Sequence, residues 1–164
     1  MKKLFTLCLL VAITLTTQAQ QKPTKEETIL FMNRVLLSTQ GIAYYYGSII
    51  TKTNITNNNY EYSEIPFPDI SNDEEYFEYS MIKWEDFNPN RYSQSKESLN
   101  GLHSYTIFFT SKIKLIITED GHTKTTYEDE IEFLLPEDKL ESFIKACQRL
   151  SEIAKEENKD PFEE

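Results

Sequence analysis

The sequence predicts an α+β domain: an N-terminal helix, a curved antiparallel sheet or small barrel, and a long C-terminal helix packed on it. Three observations carry this. Apolar residues recur at helical spacing near the start of the chain and again at its end. Between those stretches they alternate, as on strands with one buried face. Aromatics are abundant, with ten Tyr and ten Phe against one Trp, a composition suited to pleated, half-buried strands. Helix, strands, helix in that order is an α+β arrangement.

Residues 1–19 read as a secretory signal peptide. Lys2 and Lys3 form a basic start, residues 4–15 are almost wholly apolar, and Thr17-Gln18-Ala19 offers a small-x-small cleavage site. The apolar run is shorter than the roughly 20 residues a membrane-spanning helix needs, and no later segment approaches that length. Cys8 lies too early for a lipid-anchoring cysteine, and Cys147 is then the one cysteine left, so no internal disulfide is expected. The expectation is an exported protein, periplasmic or extracellular. Residues 20–157 would form a single domain and residues 158–164 an acidic tail. At about 140 residues such a domain is long enough to bury most of its apolar surface. The formal charge of the chain is −10, and loss of the two N-terminal lysines deepens it. That balance keeps a protein soluble and opposes nucleic acid or an anionic membrane surface as partner.

The first helix opens on Thr24, with Glu27 three residues on as a capping box. Ile29, Met32, Val35 and Leu36 make its apolar stripe, Phe31 widens it, and Gly41 is a natural stop. Residues 42–50 read as the first strand and residues 51–59 as a polar loop, with three consecutive Asn marking a turn. Asn54-Ile55-Thr56 matches a glycosylation sequon, which acts only where the host has the machinery. Residues 60–65 form a strand, Pro66 and Pro68 end it, and residues 69–75 are an acidic loop. Residues 77–84 read as a strand, Asn88-Pro89-Asn90 as a turn and residues 93–101 as a loop.

Residues 105–135 are the most regular stretch. Tyr105, Ile107, Phe109, Ile113, Leu115 and Ile117 share one face, and so do Tyr127, Ile131, Phe133 and Leu135. Ser111 and Asp129 are the exceptions. A two-residue Asp120-Gly121 turn would set Lys124 opposite Ile117, against that parity. A three-residue loop of Glu119-Asp120-Gly121 restores it. Phe109 then faces Ile131, Ile107 faces Phe133, Lys112 faces Glu128, and Ser111 faces Asp129. The closing helix is expected over residues 136–156. Pro136 and the acids Glu137 and Asp138 lie at its start, and Leu140, Phe143, Ile144, Cys147, Leu150 and Ala154 form its stripe. Phe162 is a possible pin for the tail.

Pro23-Thr24-Lys25-Glu26-Glu27-Thr28, Trp84-Glu85-Asp86-Phe87-Asn88-Pro89-Asn90, and residues 139–147 running into Asp160-Pro161-Phe162 resemble segments of small secreted proteins of Bacteroidetes-type bacteria. Ala19-Gln20 is similar in style to the end of their signal peptides. The resemblance spans most of the mature chain. It implies export and this kind of fold, and the order of elements is similar to a pleckstrin-homology-like barrel. Its motifs are structural, so it implies no catalytic residue.

Candidate chemistry is sparse. His103 and His122 fall at opposite ends of the long hairpin, too far apart for a dyad or a shared metal. Cys147 lies on an apolar stripe, where a free thiol packs as a small hydrophobe. The alternate oxygens of Asp69, Ser71 and Asp73 suit the start of a calcium loop, but Glu74 replaces the required Gly and Ser80 the final Glu. No cofactor is expected. Asp129, on an apolar face opposite Ser111, either lines a small pocket or sits wet where the sheet curves. The tyrosines at 44, 45, 46, 60, 62, 76 and 79 offer flat contact surface for a protein or glycan partner. The binding set is therefore Tyr44, Tyr46, Tyr60, Tyr62, Asp129 and Ser111. The leading expectation is a non-enzymatic binding or interaction module, and the alternative is a small envelope hydrolase using acidic residues such as Asp129.

Overall fold

The computed structural model describes residues 22–44, 47–66, 73–95 and 100–159. The signal-peptide reading, Tyr45, Tyr46, most of the acidic loop and Phe162 fall outside them. Helix α1 (Lys25–Leu37) is followed by β1 (Ile49–Ile55), β2 (Tyr60–Ile65), β3 (Glu75–Ser80), β4 (Phe87–Gln94), β5 (Leu102–Glu119), β6 (His122–Pro136) and helix α2 (Leu140–Glu157). The fold is α+β, with the antiparallel strands curled into a half-barrel and both helices packed on it. No helix among the described residues is long and apolar enough to cross a membrane.

The helices form where the sequence places them. Thr24 accepts from the Glu27 amide at 3.2 Å, and the Glu27 carboxylate takes the Thr24 amide at 2.9 Å, which satisfies donors the first turn leaves orphaned. Glu137–Lys139 form a 3-10 turn leading into α2. The buried stripe of α2 includes Phe143, Cys147 and Leu150. The Phe143 ring lies 5.0 Å from Phe133, and Phe133 lies 4.5 Å from Tyr60, so one aromatic column joins helix to sheet. Lys22–Glu152 and Lys25–Glu157 ion pairs, with Arg149 donating to the Pro23 carbonyl, lash the N-terminal arm and α1 to α2.

The first strand is displaced from its expected place. Gly47 has φ 91°, and its amide closes a turn on the Tyr44 carbonyl, so the described residues before β1 contribute an isolated bridge, Ala43 to Ile49, and not a strand. The expected polar loop is instead mostly strand: Thr53 and Ile55 are β-branched and pair with β2, with Thr51 the extra residue at a bulge between Ile50 and Lys52. The loop shrinks to residues 56–59, where Thr56 N–H bonds the Asn59 carbonyl. Likewise β3 ends at Ser80 rather than running on to Trp84, because Met81 adopts φ 64°. Trp84 then turns its indole N–H onto the Asn57 carbonyl at 2.7 Å.

The β5–β6 hairpin corrects the expected register. Asp120 (φ 50°) and Gly121 (φ 73°) make a two-residue turn, and Ile117 does pair with Lys124. Two positive φ angles are what a type I′ turn requires, and its twist matches the strands. Parity is restored in mid-strand. Phe108 pairs with Glu130 and Ile113 with Glu128, so Phe109, Thr110, Ser111 and Lys112 all stand opposite Asp129. Beyond this bulge Ile107 faces Ile131 and Tyr105 faces Phe133. Tyr127, expected on the buried face, is 59% exposed. The bulge also lets β5 serve two neighbours on one side, β3 along its C-terminal half and β4 along its N-terminal half. Such a bulge sharpens local twist and curls the sheet. The Asn88-Pro89-Asn90 turn chemistry is spent the same way. Those residues bulge out of β4 between the Phe87–Phe109 and Tyr92–Ile107 pairs, with Asn90 N–H on the Asn88 side chain.

Candidate functional site

The concave face of the half-barrel is layered. Its deepest row, Ile55, Tyr60, Tyr79, Leu115 and Thr126, crosses five strands, and Tyr60 is 1% exposed. The next row is Thr53, Tyr62, Phe77, Ile117 and Lys124. Tyr62 and Phe77 are half-buried and stack at 4.6 Å with rings almost parallel. The outermost row carries Ile50, Glu64 and Glu75. A hydrophobic floor therefore gives way to a stacked aromatic shelf and then to a mouth where the half-buried carboxylates of Glu64 and Glu75 share a row with buried Ile50.

Glu64 is the chemically informative residue of this mouth. It is half-buried and accepts a hydrogen bond from the Tyr44 hydroxyl. Burial raises its pKa, and repulsion from Glu75 and Glu132 adds to that, while the Tyr44 hydrogen bond opposes it. Glu75 is raised by burial and by the charges of Glu119 and Asp120 at the hairpin tip. Among the described residues no Lys, Arg or His pairs with Glu64, Glu75 or Glu132. Burial also pushes the Tyr44 phenol up, and Glu64 reinforces the shift. Burial likewise pushes the Tyr79 phenol up, and the charges of Glu132, Glu130 and Glu128 on β6 add to that.

The convex face offers a contrast on the same strand. Glu61 is bonded by Tyr76 at 2.9 Å and paired with Lys52 at 3.3 Å. Burial pushes its pKa up, but these partners outweigh burial and hold it below the usual range. Glu61 is satisfied within the chain, whereas Glu64 has a phenol and two like charges.

Of the expected binding set, Tyr44 and Tyr62 meet at this mouth, and Tyr46 lies outside the described residues. Tyr60 belongs to the core rather than to a contact surface, because its ring is enclosed by Tyr62, Tyr79 and Phe133. Asp129 and Ser111 do not form a cross-strand pair, since both lie in the bulge. The bulge turns Asp129 to Lys112 at 3.4 Å, leaving its side chain 47% exposed, while the Ser111 hydroxyl is buried without a hydrogen bond among the described residues. Asp129 is thus wet at the point where the sheet bends. His103 sits between Gln94, 3.1 Å away, and Glu137, 3.8 Å away, and His122 closes the far hairpin turn. Cys147 is fully buried, and burial pushes its thiol up. No group of three or more His, Cys, Asp or Glu among the described residues is arranged to hold a metal ion.

Sequence reasoning missed Glu64, Glu75 and Phe77, although the signal was there. Positions 60, 62 and 64 alternate on one strand, and 75, 77 and 79 on the next, so each Glu had to share a face with its aromatics. Comparison with known protein families, curated proteins and solved structures finds no match.

Proposed function

We propose that the protein is an exported, non-enzymatic binding module that takes a cationic group of its partner into the mouth of the half-barrel. The carrying observation is Glu64, a half-buried carboxylate beside a stacked aromatic pair, bonded to Tyr44 and in no ion pair among the described residues. Desolvating a carboxylate is costly unless a partner compensates it, and aromatic faces with a nearby carboxylate favour an ammonium or guanidinium group. Export is supported by Lys2, Lys3, the apolar residues 4–15 and Ala19. An acid-dependent hydrolase finds less support, since Asp129 is an exposed partner of Lys112.

The test is photo-crosslinking in the native envelope fraction, with the crosslinker at Glu75 on the rim or at Tyr92 on β4. A partner captured from Glu75, not from Tyr92, and lost in Glu64→Lys supports the reading. Equal capture from both positions, or capture indifferent to Glu64→Lys, overturns it.

A further inference from the structure

Among the described residues the half-barrel has three strand edges, and two of them are blunted. On β1, Gly41 N–H bonds the Ile50 carbonyl at 2.9 Å and Ala43 bridges Ile49. The Asn33 side chain takes both the Ile55 amide and the Ile55 carbonyl at 2.8 Å. On β4, Pro89 and its bulge break the edge. The outer edge of β6 differs. Because Glu119 and His122 flank a two-residue turn, even-numbered residues from His122 to Glu128 bond β5, and Thr123, Thr125 and Tyr127 direct N–H and C=O outward. Among the described residues no backbone hydrogen bond reaches those groups. The open stretch, Thr123–Tyr127, runs from the hairpin turn toward the bulge opposite Asp129.

Charge selects the occupant. Glu119, Asp120, Glu128 and Glu130 lie on the hairpin itself, and Glu64 and Glu75 lie at the mouth beside it. Lys114 and Lys124 are the cations on the paired strands next to this edge, and Lys112 is taken by Asp129. A second copy would bring the same acidic surplus and be repelled. Thr123, Thr125 and Thr126 are β-branched and suited to pairing.

We infer that the partner binds as an extended basic peptide that adds a strand to β6 at Thr123–Tyr127 and sends cationic side chains toward the mouth carboxylates. Main-chain bonds would give affinity and alternate side chains specificity. The inference rests on the mouth being the contact surface.

The test uses an acetylated, amidated peptide of five Thr-Lys repeats, with a Thr-Glu counterpart and a version N-methylated at alternate backbone positions. Exchange of the Thr123, Thr125 and Tyr127 amides is followed by NMR. The lysine peptide is expected to slow all three by about tenfold or more. N-methylation is expected to weaken binding by about tenfold or more, the equivalent of one or two hydrogen bonds, and the Thr-Glu peptide to leave exchange unchanged. If the N-methylated peptide binds equally well and shifts Glu64 and Glu75 without slowing the three amides, strand addition is wrong while the cationic mouth stands. Failure of the lysine peptide to bind at all also overturns strand addition, and the Glu75 crosslink then decides the mouth separately.

Discussion

Glu61 and Glu64 stand three residues apart on β2 and face opposite sides of it. Their environments push their pKa values apart, one down through Tyr76 and Lys52, the other up through burial and neighbouring carboxylates. A carboxyl with a raised folded pKa favours folding fully below its ordinary value of 4.5. That contribution is lost as pH rises through the folded value. Glu64→Gln is therefore expected to melt above the parent at pH 7, with the gap closing as pH falls below about 4.5, where the parent carboxyl is protonated in both states. A gap that widens on acidification contradicts the placement of Glu64. Cys147 gives a second prediction at this scale. Buried and with its thiol pushed up, it should react with a disulfide reagent only as the protein unfolds. Rapid labelling of the native chain would contradict its burial. This thiol was legible from the stripe of α2, but Glu64 was passed over among tyrosines although alternation placed it.

At the scale of elements, local chemistry was legible and long-range pairing was not. The capping box, the Asn-rich turn and both helices follow from short-range rules. The hairpin misled because uniform alternation was assumed to demand an odd loop, when β5 instead takes up the mismatch at Phe109–Lys112. The first strand misled because the aromatic run from Tyr44 outweighed the two glycines flanking it. The Asn33 clamp is invisible to any local rule, since it joins α1 to Ile55 across 22 positions. Asn33→Ala leaves a part-buried amide and carbonyl without that partner. It should cost about 1–3 kcal/mol, read as a lower urea midpoint at unchanged slope. An unchanged midpoint would contradict the clamp. Gly121→Ala puts a Cβ at φ 73° and should cost about 1 kcal/mol or more by the same measurement, whereas a three-residue loop with Gly121 outside the left-handed region would tolerate it.

At the scale of the whole molecule, α+β and a curled antiparallel sheet follow from periodicity and aromatic content. The strand order β1-β2-β3-β5-β4, with β6 on the far side of β5, does not, because two bulges decide which half of β5 meets which neighbour. Those bulges curl the sheet, and the curl creates a mouth with carboxylates on one side and a free strand edge on the other. Hydrogen exchange along residues 122–128 of the free protein probes this most directly. A free edge beside the mouth predicts alternation: slow amides at Lys124 and Thr126, which bond β5, and fast ones at Thr123, Thr125 and Tyr127. Uniform protection across all five would mean that another segment covers the edge, and fast exchange at Lys124 and Thr126 with protection of the odd positions would mean that the register itself is wrong.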